Sequence, residues 1–235
     1  MEPYIFCLIS TFVPEHFEIL TFLAQGKLIK EEIENKTYAN GVLHSFDDKP
    51  AVIDNDTQVW YKLGKKHREN DLPAVARKNG NREWWLNDQR HRMNDRPAIV
   101  YTGGTKEWWQ NGKLHRDNDK PAIIDLDGDK YWYQFGLVHR DNDLPAVIWA
   151  NGIKMWYKNG KLHRDGDNPA IINPVVPLVE WWQNGMLHRD GDNPASVCIR
   201  RLEWYKNGEL HRDGGKPAVV NSLQSTGIYT DTRGL

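Results

Sequence analysis

The chain is short of cysteine, of charge of one sign and of long apolar runs, and each shortage closes off a class of protein. Two cysteines, Cys7 and Cys198, cannot build a disulfide framework, which points to a reducing compartment or to indifference. Lys and Arg number 31 against 32 Asp and Glu, so the basic surplus that a nucleic-acid backbone requires is missing. No apolar stretch reaches the roughly 20 residues of a membrane span. Met1-Glu2-Pro3 places no positive charge ahead of Tyr4 to Val13, so no secretory leader is expected there. The expectation is an intracellular, cytoplasmic protein. Leu, Ile, Val and Phe together make up only about 23% of the chain, enough to fold but giving a thin core.

Tryptophan, by contrast, is abundant: 11 residues, beside nine Tyr. Its placement exposes an internal repeat. The segment from Glu107 to Ile124, reading EWWQNGKLHRDNDKPAII, recurs along the chain. Its histidine falls at His44, His67, His91, His115, His139, His163, His188 and His211, and a Pro-Ala pair follows each one. The first residue of an aromatic pair is Trp60, Trp84, Trp108, Trp132, Trp156, Trp181 and Trp204. Three landmarks kept in phase define a repeat array. Its expected limits are residues 36–220, in eight units of about 24 residues. Residues 1–35 are expected to cap one end, and 221–235 to form a polar tail.

Each unit carries two reverse-turn signals, such as Asn111-Gly112 within the unit and Asp127-Gly128 between units. Such pairs accept the positive φ of tight hairpin turns. Two Gly turns and a Pro in every unit oppose a helical repeat. The expected fold is therefore all-β: an elongated antiparallel array of hairpins, about sixteen short strands at two per unit. Val13 to Gly26 reads as a short helical cap, with Pro14 near its start, Gly26 past its end, and Phe17, Leu20 and Ala24 on one stripe. Asn173-Pro174-Val175-Val176-Pro177 replaces one Gly turn, and is expected to expose its two valines.

Alternation along a strand sends Trp108 and Trp109 to opposite faces. The first position is always Trp, as a packed site demands. The second alternates between Trp and Tyr at Tyr61, Trp85, Trp109, Tyr133, Tyr157, Trp182 and Tyr205. Rings with a polar tip suit a half-exposed face, and these seven are the candidate partner-binding residues. Ala122 and Ile124 are placed beside the first Trp, with Ile123 on the other face.

The hairpin, its Trp, the Asn-Gly-Lys turn and the following His resemble the MORN repeat. The form Trp-Tyr-x-Asn-Gly-Lys-Leu-His-Arg-Asp-x-Asp-x-Pro-Ala is similar to the variant arrays encoded by large DNA viruses of amoebae. The resemblance implies a virus-encoded protein acting in host cytoplasm or virion. The MORN pattern has Gly directly after its His and again two residues later, where the central unit has Arg116 and Asn118. Gly166, Gly191 and Gly214 keep the second of these in the last three units.

Chemistry inside the repeat is weighed against simpler roles. His-Arg-Asp at 115–117 and four later places mimics a kinase catalytic loop, but the Gly-rich loop, strand Lys and Asp-Phe-Gly are missing. Equivalent histidines two strands apart are about 10 Å from each other, too far to share one zinc. The Asp-rich arms are too short and too basic for a calcium loop. Structural roles are expected instead: His in its turn, and Arg116 with Asp117 or Asp119 in a ladder of ion pairs. No enzyme activity, cofactor or metal is expected. The expected function is a non-catalytic scaffold that binds protein. The other readings are a glycan- or choline-binding aromatic module, or a virion structural component.

Overall fold

The computed structural model describes the backbone of residues 18–19 and all of residues 30–221. It divides into two compact units, Met1–Asp117 and Asn118–Leu235. Both are all-β and antiparallel, built from repeated hairpins. In the first, a ladder runs from Glu18–Ile19 through Lys30–Ile33, Lys36–Ala39, Val52–Asp54, Thr57–Val59, Val75–Arg77, Arg82–Glu83 and Ile99–Val100 to Lys106–Glu107. In the second, it runs from Ile123–Ile124 to Val219–Asn221 in the same manner.

The repeat holds more strands than the two expected. Each long arm is cut in half at the first Trp. Trp132 donates its N–H to the Ala146 carbonyl at 2.8 Å, in the main ladder, while its own carbonyl accepts from His139 N–H at 3.1 Å. The chain thus leaves the sheet at the indole and closes a second, smaller hairpin, Tyr133–Gln134 against Leu137–Val138. The same division occurs at Trp60, Trp84, Trp156, Trp181 and Trp204. One residue serving two ladders is what a bulge-like break achieves, and the periodicity alone did not show it.

Turn chemistry follows the sequence closely. Asn159 and Gly160 adopt φ of 52° and 80°, the left-handed pair of a two-residue hairpin turn. A second left-handed pair closes the His-Arg-Asp arm, at Asn118 and Asp119 with φ of 60° and 53°. Gly166, at φ 71°, takes the corresponding place further along. Asn118 and Gly166 thus hold the same left-handed conformation at equivalent places of the repeat. Asn is the non-glycine residue best able to do so.

Burial corrects the assignment of faces. Ala74, Ala98, Ala122, Ala146, Ala170 and Ala195 are fully buried, and most of the first tryptophans are buried. Ile124, expected to join them, is only half-buried, while Val75, Ile99 and Val147 on the opposite face are buried. Val75, Ile99 and Val147 directly follow Ala74, Ala98 and Ala146, so at these places both faces of the arm are buried.

Of the helix expected over Val13–Gly26, only Glu18 and Ile19 are described. These two form a strand, paired with Glu32 and Glu31. An edge strand presents unpaired N–H and C=O groups, and two extended residues satisfy them where a helix would not. The rest of that segment, and residues 222–235 of the expected tail, lie outside the described residues. Val175 and Val176 are exposed as expected, in a turn whose N–H groups donate to Asn173 Oδ1.

Candidate functional site

Neighbouring repeats are joined by a clamp built on the first Trp. Arg140 lies over the Trp132 ring at 3.9 Å. It donates from Nε and Nη2 to both carboxylate oxygens of Asp119 in the preceding repeat, at 2.7 and 2.8 Å, and from Nη1 to the Pro145 carbonyl at 3.2 Å. The Trp132 indole N–H donates to the backbone carbonyl of the same Asp119 at 3.0 Å. Arg164 repeats this arrangement with Trp156, Asp143 and Pro169. Arg68 and Arg92 do so in the first unit. The arginine side chains of these clamps are only 13–16% exposed. Trp, Arg, Asp and Pro are thus one unit of cation–π, bidentate and backbone bonding.

This corrects the expected ion pairs. Arg116 reaches back to Asp95 at 2.6 Å. Asp119 serves Arg140, whereas Asp117 belongs to His115 and Gln110. The ladder runs between repeats because a guanidinium lying flat on its own indole points its fork beyond its own turn.

Histidine forms a second joint. His139 Nδ1 accepts from the Asn159 N–H of the next small hairpin at 3.1 Å, and Nε2 lies 3.0 Å from Asp141 Oδ1. A backbone N–H can only donate, which makes Nδ1 the acceptor and Nε2–H the donor. His163 and His188 use both nitrogens likewise. Both ring nitrogens are thus occupied structurally.

These contacts set the electrostatics. Hydrogen bonds from Arg68, Arg92 and Arg140 hold Asp48, Asp71 and Asp119 below the ordinary carboxylate pKa. His163, followed by Lys158, draws Asp165 down to about 2 from 3.8. A depressed folded pKa gives stability that is complete above the unfolded value and is lost as pH falls through the folded one. The thermal midpoint should therefore stay level down to about pH 4 and fall between about pH 4 and 2. Melting curves across that range check this, and replacing Asp119 and Asp165 by Asn should flatten the fall.

The seven candidate aromatics, Tyr61, Trp85, Trp109, Tyr133, Tyr157, Trp182 and Tyr205, are all half-buried. Each opens the small hairpin of its repeat, and successive small hairpins are hydrogen-bonded. Gly112 N–H reaches the Arg90 carbonyl at 3.0 Å, and Gly160 N–H reaches the Val138 carbonyl at 2.9 Å. Across each hairpin the ring faces one residue: Lys66, Arg90 and Leu114 in the first unit, then Val138, Leu162, Leu187 and Leu210.

In the first unit the cations lie on the rings. Lys66 is 4.5 Å from the Trp85 centroid, and Arg90 lies 4.9 and 5.1 Å from those of Trp85 and Trp109. The indole N–H groups of Trp85, Trp109 and Trp182 donate to Glu83, Glu107 and Glu180. The repeat thus takes its second Trp only where Glu precedes by two residues, a correlation already readable as Glu-Trp-Trp. Glu83 is buried, which alone would raise its pKa, but Arg77 and Arg90 hold it low. The cations at Lys66 and Arg90 were missed in the sequence, because only the small hairpin sets them opposite the rings.

No protein-family model matches the chain, and a search of curated proteins finds no relative. Its class therefore rests on the repeat itself, an all-β array of hairpins joined by Arg–Asp–Trp clamps.

Proposed function

We propose that the chain is a non-catalytic scaffold that holds a protein partner along the row of second-position aromatics. In this reading it is a MORN-like array of the kind encoded by large DNA viruses, working in host cytoplasm or virion. The observation that carries the proposal is the division of labour within the repeat. Trp, His, Arg, Asp, Pro and Ala join the repeats, and Tyr133, Tyr157, Trp182 and Tyr205 recur half-buried, one to each repeat. Half-buried Tyr and Trp on a rigid backbone combine large contact area with little conformational entropy to lose.

The glycan or choline reading needs open ring faces. In the first unit Lys66 and Arg90 already lie over Trp85 and Trp109, which favours a protein partner there. The test is capture from extract of the cell that makes the protein, with wild type beside a chain carrying Tyr133, Tyr157 and Tyr205 changed to Ser. A protein held by the wild type and released by the folded variant is the expected result. Equal capture by both would remove the aromatic row from the proposal, and retention on immobilised glycans instead would replace it.

A further inference from the structure

In most repeats one polar side chain ties the small hairpin to the acidic arm that follows it, always seven residues on. Lys62 Nζ lies 2.6 Å from Glu69, and Lys158 Nζ 2.9 Å from Asp165. Gln110 and Gln134 donate from Nε2 to Asp117 and Asp141, both at 2.7 Å, and Lys206 Nζ stands 3.9 Å from Asp213. One repeat has apolar Leu86 and Met93 in the two places, where no bridge can form. Another has Gln183 and Asp190, a pair chemically able to bond, yet among the described residues no bond joins them. The Asp190 carboxylate meets His188 Nε2 at 3.1 Å and is otherwise open, with its side chain 86% exposed.

The groove at this pair is wider than its counterparts. Between His139 and Asp165 the corresponding groove has a volume of about 170 Å³, and between His188 and Asp213 about 50 Å³. Here it reaches about 490 Å³, and its lining includes Trp182, Gln183, His188 and Asp190, with Arg164 and Arg189 of the clamps. Ligand clefts commonly measure about 300–1,000 Å³, a range the other two grooves do not reach. Both guanidiniums are already committed. Arg164 bonds both carboxylate oxygens of Asp143, and Arg189 those of Asp167 while lying 3.7 Å from the Trp181 centroid. His188 Nδ1 accepts from the Asn207 N–H, so the ring's one N–H is the group donated to Asp190. Among the described residues, Asp190 is thus the charge of the lining that no opposite charge balances. The Trp182 indole N–H donates to Glu180 at 2.9 Å, and no cation of the described residues lies over its ring, in contrast to Trp85 and Trp109.

We propose that this groove seats a lysine side chain of the protein partner, with its ammonium on Asp190 and its stem along the Trp182 ring. The proposal rests on the partner reading above and names the chemistry of one contact within it. The array itself shows that an ammonium suits the place, because Lys62 and Lys158 set one on the equivalent carboxylate. Gln183 brings no charge of its own, which leaves Asp190 to a cation from outside. A carboxylate and an indole face are the two groups that attract an ammonium, by charge-assisted hydrogen bonding and by the ring quadrupole. The groove has room for the side chain together with the backbone that carries it.

Titration of the isotope-labelled full chain with the peptide acetyl-Gly-Lys-Gly-amide, read by NMR at the Gln183 side-chain amide and the Trp182 indole N–H, tests it. Both signals should shift, with half-saturation at about 1 mM. The same peptide acetylated at its lysine has lost the charge and should bind at least tenfold more weakly. Q183K, which supplies the array's own ammonium, and D190N, which removes the carboxylate charge, should each weaken binding at least tenfold while melting near the wild-type midpoint. Shifts that are absent up to about 10 mM, that persist in Q183K, or that the acetylated peptide reproduces overturn the proposal. In the capture experiment, a protein that D190N retains in full removes the lysine contact and leaves the scaffold reading standing. Capture of no protein while the peptide shifts hold removes the scaffold reading and keeps the groove as a lysine site.

Discussion

Replacing Trp132 by alanine is expected to destabilise the second unit by about 3–5 kcal/mol, the range for a large aromatic removed from a packed site. Three losses coincide. The indole is buried, at 7% exposure, and its removal opens a cavity. Its N–H no longer satisfies the Asp119 carbonyl, and Arg140 loses the ring on which it lies. Phenylalanine should recover much of the volume but not the N–H donor, and is expected to lie between the two. Denaturant unfolding of the full chain would measure both. A change below about 1 kcal/mol for Trp132→Ala would mean the site collapses around the gap.

The arginine of the clamp comes next. Arg164→Ala is expected to cost about 2–3 kcal/mol, below the full range for a buried pair because Asp143 is half-exposed. Arg164→Lys should fail to restore it. Lysine is a point charge with a flexible stem, and cannot bond both oxygens of Asp143, reach the Pro169 carbonyl and lie flat on Trp156 together. The conservative substitution thus separates planar geometry from charge. Stability of Arg164→Lys equal to wild type would reduce the clamp to a simple ion pair. A double change of Arg164 and Asp143 should cost less than the sum of the two single changes, because the bidentate bond is lost only once.

The clamp also marks the two ends of the array. The position that holds Arg68, Arg92 and Arg140 in later repeats holds Ser45 in the first. The position that holds Asp119, Asp143, Asp167 and Asp192 holds Gly215 in the last. Each repeat offers its arginine backwards and its aspartate forwards. The first repeat lacks the backward group and the last lacks the forward one. This pattern stood in the sequence, but it carried no meaning until the bond from Arg140 to Asp119 showed which residues are partners.

Sequence alone determined the period, the antiparallel hairpin class and the turn positions, because these depend on local backbone chemistry. Gly and Asn take left-handed φ wherever they fall, and Pro ends a ladder wherever it falls. It also separated the first aromatic position from the second, since constancy of Trp reflects packing. Tertiary structure decided what local rules do not contain. Alternation put Ile124 in the core, yet Ile124 is half-buried while Ile99 and Val147, one place after their alanines, are buried. Proximity in sequence paired Arg116 with Asp117 or Asp119, yet Asp95 is its partner across the repeat boundary. Period-two patterning describes a strand that stays in one sheet. Here every arm changes ladder at a tryptophan, and side chains find their partners one repeat away.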